Sequence, residues 1–184
     1  MGLDISVRAT NQSEWEDAAD TREEHTLSRR FGYFMCRRSA IAGVPELDQL
    51  GALTGVDISP LYEMETYVSP EDIDNSLEFA SDEAERQRIL DKARTASAAL
   101  TGNIDKVRTA VEGLLTRLAT VADLPGQLRP DKHDVLQAAA YFANFSSPKM
   151  NARDSTFGQD LRNLKRFLED AKSQGSETVY FVYS

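Results

Sequence analysis

Residues 1–9 read MGLDISVRA, and residues 176–184 read SETVYFVYS. In the first stretch Leu3, Ile5 and Val7 alternate with Asp4, Ser6 and Arg8. That two-residue period predicts a half-buried strand over 3–9. In the second, Thr178 to Tyr183 is apolar on both faces, which predicts a strand central in a sheet or covered. Most of what lies between has helical periodicity. The predicted fold is therefore mainly helical α+β, one domain over 1–184. Three to four longer helices pack on a small sheet formed by the N- and C-terminal strands.

The strongest helical signal is Ile104, Val107, Val111, Leu114, Leu118 and Val121, apolar at alternating steps of three and four, with Leu115 widening the stripe. A thinner stripe, Ile89, Ala93, Ala96 and Leu100, precedes it. Between them Thr101-Gly102-Asn103 suits a helix end followed by a new cap, which predicts a helical hairpin over 82–123. A single helix over 82–122 is the alternative, since one glycine costs only about 1 kcal/mol. Ser69-Pro70-Glu71-Asp72 and Ser81-Asp82-Glu83 are helix starts with acids on the positive helix end. Phe157, Leu161, Leu164, Leu168 and Ala171 mark the last helix, closed by Gly175. Pro130-Asp131 opens another, with Val135, Leu136, Ala139 and Phe142 expected inward. Pro45 starts a short helix with Leu47, Leu50 and Leu53 on one side, and Ser13 caps one over 14–20. Over 27–38 the reading stays divided: Leu27, Phe31 and Phe34 have helical spacing, whereas FGYFMC suits a strand.

A chain of 184 residues buries roughly 70% of its unfolded surface on folding and needs no metal or disulfide to do so. Thirty acidic against twenty-one basic residues give a net charge of −9, which opposes broad binding to nucleic acid or anionic lipid. The single cysteine, Cys36, excludes an intramolecular disulfide and any multi-cysteine metal centre. No apolar run approaches the ~20 residues of a bilayer span, and no secretory signal is present, so a cytoplasmic protein is expected. Gly2 with Ser6 fits an acylation pattern, but a strand there and the acids that follow make plain β-structure the reading.

The opening Gly2-Leu3-Asp4-Ile5 and the close Val179-Tyr180-Phe181-Val182-Tyr183-Ser184 resemble a loose group of small bacterial and phage proteins. The resemblance covers the two ends, roughly a tenth of the chain, and a tryptophan at the end of that group is missing here. It implies a bacterial or phage origin and an α+β domain whose termini pair. It implies no reaction.

Phosphate-binding loops, the dinucleotide glycine fingerprint, the serine-hydrolase elbow and the HExxH zinc motif are all missing. The favoured function is protein–protein interaction, as an accessory, immunity-like or modulating protein with an acidic surface for a basic partner. Glu71, Asp72, Asp74, Glu78, Asp82, Glu83 and Glu85 are the partner-binding candidates. A second reading is an enzyme of unrecognised type using Asp4, Glu63, Glu65 or His133, acids and an imidazole suited to proton transfer. A third is phosphate or nucleic-acid contact through Arg29, Arg30, Arg37 and Arg38, which bracket aromatic residues. No metal and no cofactor are expected, and His25 reads as a solvated or capping imidazole. The stripe Ile104, Val107, Val111, Leu114 and Leu118 is expected as internal core, with a homodimer seam as its alternative.

Overall fold

A computed structural model describes residues 5–11, 26–39, 43–130, 132, 134–147 and 155–183. Asp4, His25, His133 and the helix expected over 14–20 lie outside them. Strand β1 is Ile5–Ala9 and strand β2 is Val179–Tyr183. They pair antiparallel, from Ile5 opposite Tyr183 to Ala9 opposite Val179. Between them run helices α1 (Arg29–Met35), α2 (Glu46–Thr54), α3 (Ser59–Glu63), α4 (Pro70–Glu78) and α5 (Glu83–Leu100). Helices α6 (Ile104–Leu118), α7 (Leu124–Gln127), α8 (Val135–Phe142) and α9 (Phe157–Ser173) complete the order. Short 3₁₀ turns at Cys36–Ser39 and Met64–Thr66 follow α1 and α3. The chain is thus mainly helical, with a two-stranded sheet formed by its terminal strands. Three long helices of 18, 15 and 17 residues, α5, α6 and α9, dominate it.

The period-2 reading of the first strand is visible in its burial: Ile5, Val7 and Ala9 are inside and Ser6 and Arg8 are half-exposed. The second strand is not central, because β1 is its only strand neighbour among the described residues. Its second face is covered instead by the Met64–Thr66 turn and by Tyr67, whose ring stacks on Tyr180 at 3.7 Å. Residues 29–35 are helix, capped by the Ser28 hydroxyl, which accepts from the Phe31 N–H.

The core lies where α6 and α9 cross, and where α1 meets the sheet and packs its rings against α8. On α6, Ile104, Val107, Val111, Leu114 and Leu118 are at most 3% exposed. They pack within the chain against α9, α2 and α3, so this stripe is core and offers no homodimer seam. Phe34 stacks on Tyr141 at 5.1 Å and meets Phe142 edge-on at 5.0 Å. Phe142 in turn meets Phe157, and Phe31 meets Phe181, so rings connect α1, α8, α9 and β2. Each such buried ring stabilises the fold by roughly 1.5–3 kcal/mol.

Two polar residues pin this core. Asp160, fully buried on α9, accepts from the Ser28 N–H and hydroxyl, the Tyr141 hydroxyl and the Ser155 hydroxyl, at 2.6–3.1 Å. Burial pushes its carboxyl above the usual range, against the pull of those donors. Asn103 clamps β2, its amide donating to the Val179 carbonyl at 2.8 Å and its oxygen accepting the Val179 N–H at 2.9 Å.

Two inward faces differ from expectation. On α8 the buried residues are Ala138, Tyr141 and Phe142, while Leu136 is 85% exposed, Val135 49%, and Ala139 is exposed too. The Tyr141 bond to Asp160 and its stack on Phe34 turn that face inward, and Leu136 falls opposite it. On α2, Leu53 is exposed and Thr54 is buried in its place, its hydroxyl donating to the Leu50 carbonyl at 2.7 Å.

Candidate functional site

Helix α4 and the first half of α5 form an arm with almost no share in the core. No residue of α4 is buried, and on α5 only Ala93 and Leu100 are. Two capping boxes build it. The Ser69 hydroxyl accepts the Asp72 N–H at 3.1 Å and donates to the Asp72 carboxylate at 2.6 Å. The Asp82 carboxylate accepts the Glu85 N–H at 2.7 Å, and the Glu85 carboxylate reaches back to the Ser81 N–H at 2.8 Å and the Ser81 hydroxyl at 2.5 Å. Those Ser81 bonds hold the Glu85 carboxyl below its ordinary value. Arg86 joins the two helices by donating to the Leu77 carbonyl at 3.0 Å.

On α4 and at the start of α5 the surface is acid around an apolar stripe, and Arg86 and Arg88 follow on α5. Between residues 69 and 85 there are seven acids and no lysine or arginine. Asp72, Asp82 and Glu85 are engaged in the caps. Glu71, Asp74 and Glu78 are exposed and recur at three- and four-residue steps, so they share one face of α4. Ile73 and Leu77, one turn apart, are half-buried beside them. Phe79, at the bend between the two helices, is 85% exposed. Among the described residues Glu83 pairs with Arg86, at 3.8 Å, and is 90% exposed itself. An exposed pair of that kind is worth little.

The remaining candidates are dispersed. Glu63 is exposed at the end of α3, whereas Glu65 is half-buried in the following turn, so the two carboxylates do not converge. Glu65 accepts a hydrogen bond from the Tyr183 hydroxyl, and burial raises both groups above their ordinary values. The Cys36 thiol lies beside the same hydroxyl and is also pushed up by burial, the opposite of an activated thiolate. Asp4 and His133 belong to the undescribed residues. No group of three metal-ligating side chains occurs among the described residues.

The four arginines do not form one exposed face. Arg29 and Arg38 are exposed, Arg30 is half-buried and Arg37 is 4% exposed. Arg37 meets Glu46 at 3.0 Å and Asp134 at 2.5 Å, and donates to the Tyr33 hydroxyl at 2.7 Å. It is a structural cation in the interior, because a buried charge requires partners of this kind. Arg38 lies over the Tyr62 ring at 4.5 Å.

Asp160 and Asn103 are absent from the sequence-level candidates, although each had a signal. Asp160 occupies a position of the α9 stripe between Phe157 and Leu161, where an acid must find buried partners. Its sequence context marks Asn103 as a helix cap, and it does precede α6, but its side chain serves the strand. No helix among the described residues is long and apolar enough to cross a membrane. No family model matches the chain, and no curated protein and no solved structure matches it either.

Proposed function

We propose that this chain is a protein-interaction module whose acidic arm, α4 with the first half of α5, docks a basic partner. The observation that carries the reading is Phe79, a large aromatic 85% exposed at the bend of an arm whose preceding helix buries nothing. Aromatic side chains are enriched in the desolvated centres of protein interfaces, where they fill a pocket of the partner. Here acids outnumber the cations Arg86 and Arg88 around the bend, so complementarity favours a partner carrying lysine and arginine around an apolar pocket. The overall charge of −9 adds long-range steering in the same direction.

The two competing readings have less support. Enzymatic use of Glu63 and Glu65 lacks convergence, and anion contact through the arginines lacks Arg37, which is engaged by Glu46 and Asp134.

The test compares the native chain with Phe79→Ser and with the triple reversal Glu71→Lys, Asp74→Lys, Glu78→Lys in affinity capture at low and moderate salt. A stoichiometric partner that is rich in basic residues and lost by both variants is the expected result. The same captured set from all three chains overturns the proposal.

A further inference from the structure

Phe79 is not the only large apolar side chain that the arm presents to solvent. Leu90, on α5, is 37% exposed. The two sit in opposite electrostatic settings. Phe79 directly follows Glu78 and is followed by Asp82 and Glu83. Leu90 has Arg86 one turn before it and Arg94 one turn after it, on the same face of the helix. Both arginines are exposed. Arg86 meets Glu83 at 3.8 Å, and Arg94 meets Asp91 at 2.9 Å. Exposed pairs three residues apart contribute little, so both guanidinium groups can turn to another carboxylate at low cost.

The charge of the arm changes sign along the chain. Residues 69–85 hold seven acids and no lysine or arginine, whereas residues 86–94 hold four basic residues and one acid. The arm thus carries one apolar side chain among acids and a second between cations. An isologous dimer requires this arrangement, because each copy must offer both halves of the contact. Leu90 lies about 10 Å along α5 from its first residue. Two arms that cross in opposite directions therefore bring each Phe79 to the Leu90 of the other copy.

We propose that the arm pairs with the arm of a second copy of this chain. Phe79 of each copy seats on Leu90 of the other, and Glu78 of each meets Arg94 of the other. The inference rests on the arm being the docking surface described above, and it names a partner for it: the basic element is α5 of a second copy. One surface serves both purposes, so self-pairing and the docking of another basic protein exclude each other. The net charge of −9 sets a long-range repulsion between copies, which moderate salt screens.

Sedimentation velocity of the purified full chain, over a concentration series at moderate salt, is the test. The native chain should pass from monomer to dimer as its concentration rises. Phe79→Ser should weaken the dimer about tenfold, equivalent to about 1.4 kcal/mol. Glu78→Arg and Arg94→Glu, both at exposed positions, should each weaken self-association, since each variant sets like charges together at two symmetric contacts. An equimolar mixture of these two variants should regain the native affinity, because every such contact in the mixed dimer again joins opposite charges. A misfolded variant could not give that recovery. A native chain that stays monomeric overturns the inference, as does a dimer unmoved by Phe79→Ser or a mixture no tighter than either variant alone. Lysate capture decides the docking reading separately: a monomeric chain that still captures a basic partner overturns the self-pairing alone.

Discussion

Helices α4 and α6 are both clearly amphipathic, and their fates differ. The apolar face of α6 is enclosed by α9, α2 and α3, and six of its residues are buried. The apolar face of α4 packs mainly on α5, and no residue of α4 is fully buried. Amphipathic periodicity states only that a face requires cover. What supplies the cover is a matter of tertiary contact, and for α4 the chain supplies half of it. The residues around each face carry the same message. The α6 stripe is bounded by Arg108, Glu112 and Arg117, of mixed sign, whereas α4 is bounded by acids alone.

The sharpest way to separate body from arm is to remove the buried carboxylate. Asp160→Ala leaves the Ser28, Tyr141 and Ser155 donors without their acceptor in the interior, a loss of about 4 kcal/mol. Chemical denaturation should show the drop as a lower midpoint with an unchanged slope. Leu114→Ala, at 1% exposure, should cost about 3 kcal/mol by cavity formation. Asn103→Ala comes next, at about 2 kcal/mol, because both Val179 backbone groups lose their partner and β2 frays from the α6 start. Amide exchange at Val179 and Phe181 should rise in that variant before exchange in α9 does.

These residues also show what could be read without a structure. The two terminal strands and the long helices follow from periodicity, and the Gly102 break follows from glycine and asparagine chemistry; Gly102 indeed has φ of +73°. Periodicity failed where a polar contact overrides it. On α8, Leu136 is more apolar than Tyr141, so simple hydrophobicity faces Leu136 inward. The hydroxyl of Tyr141 has a buried acceptor nineteen residues later, and that long-range bond decides the face. For the same reason the Arg37 partners, Glu46 and Asp134, were not visible among the acids of the sequence. The acidic run of the arm was visible, but its split into caps and uncommitted acids was not.

A pH measurement probes the border between the two regions. The Tyr180 phenol, stacked on Tyr67 beside the foot of the arm, is pushed up to about 12, first by burial and then by its bond with Tyr67. A phenol whose folded value exceeds the unfolded value of about 10 favours the folded state below pH 10. That stabilisation is lost as pH rises through about 12. Ring-carbon NMR resolved at Tyr180 should therefore show it ionising late, and Tyr67→Leu should bring that ionisation down.

The smallest expected effect on folding is at Phe79, and there the comparison between the helices becomes decisive. A side chain 85% exposed on an arm outside the core contributes little to stability. Phe79→Ser should shift the unfolding free energy by no more than about 0.5 kcal/mol in either direction. If α4 were simply a peripheral piece of the body, Phe79 would have no further consequence. If the arm is an unfinished interface, the same substitution leaves the denaturation curve in place and reduces partner binding by tenfold or more, about 1.4 kcal/mol. Glu71, Asp74 and Glu78 should behave differently from Phe79 in one respect. Their reversal should slow association and flatten its salt dependence, whereas loss of Phe79 should speed dissociation. A large stability change at Phe79 would place it within the folded core and remove the distinction between α4 and α6.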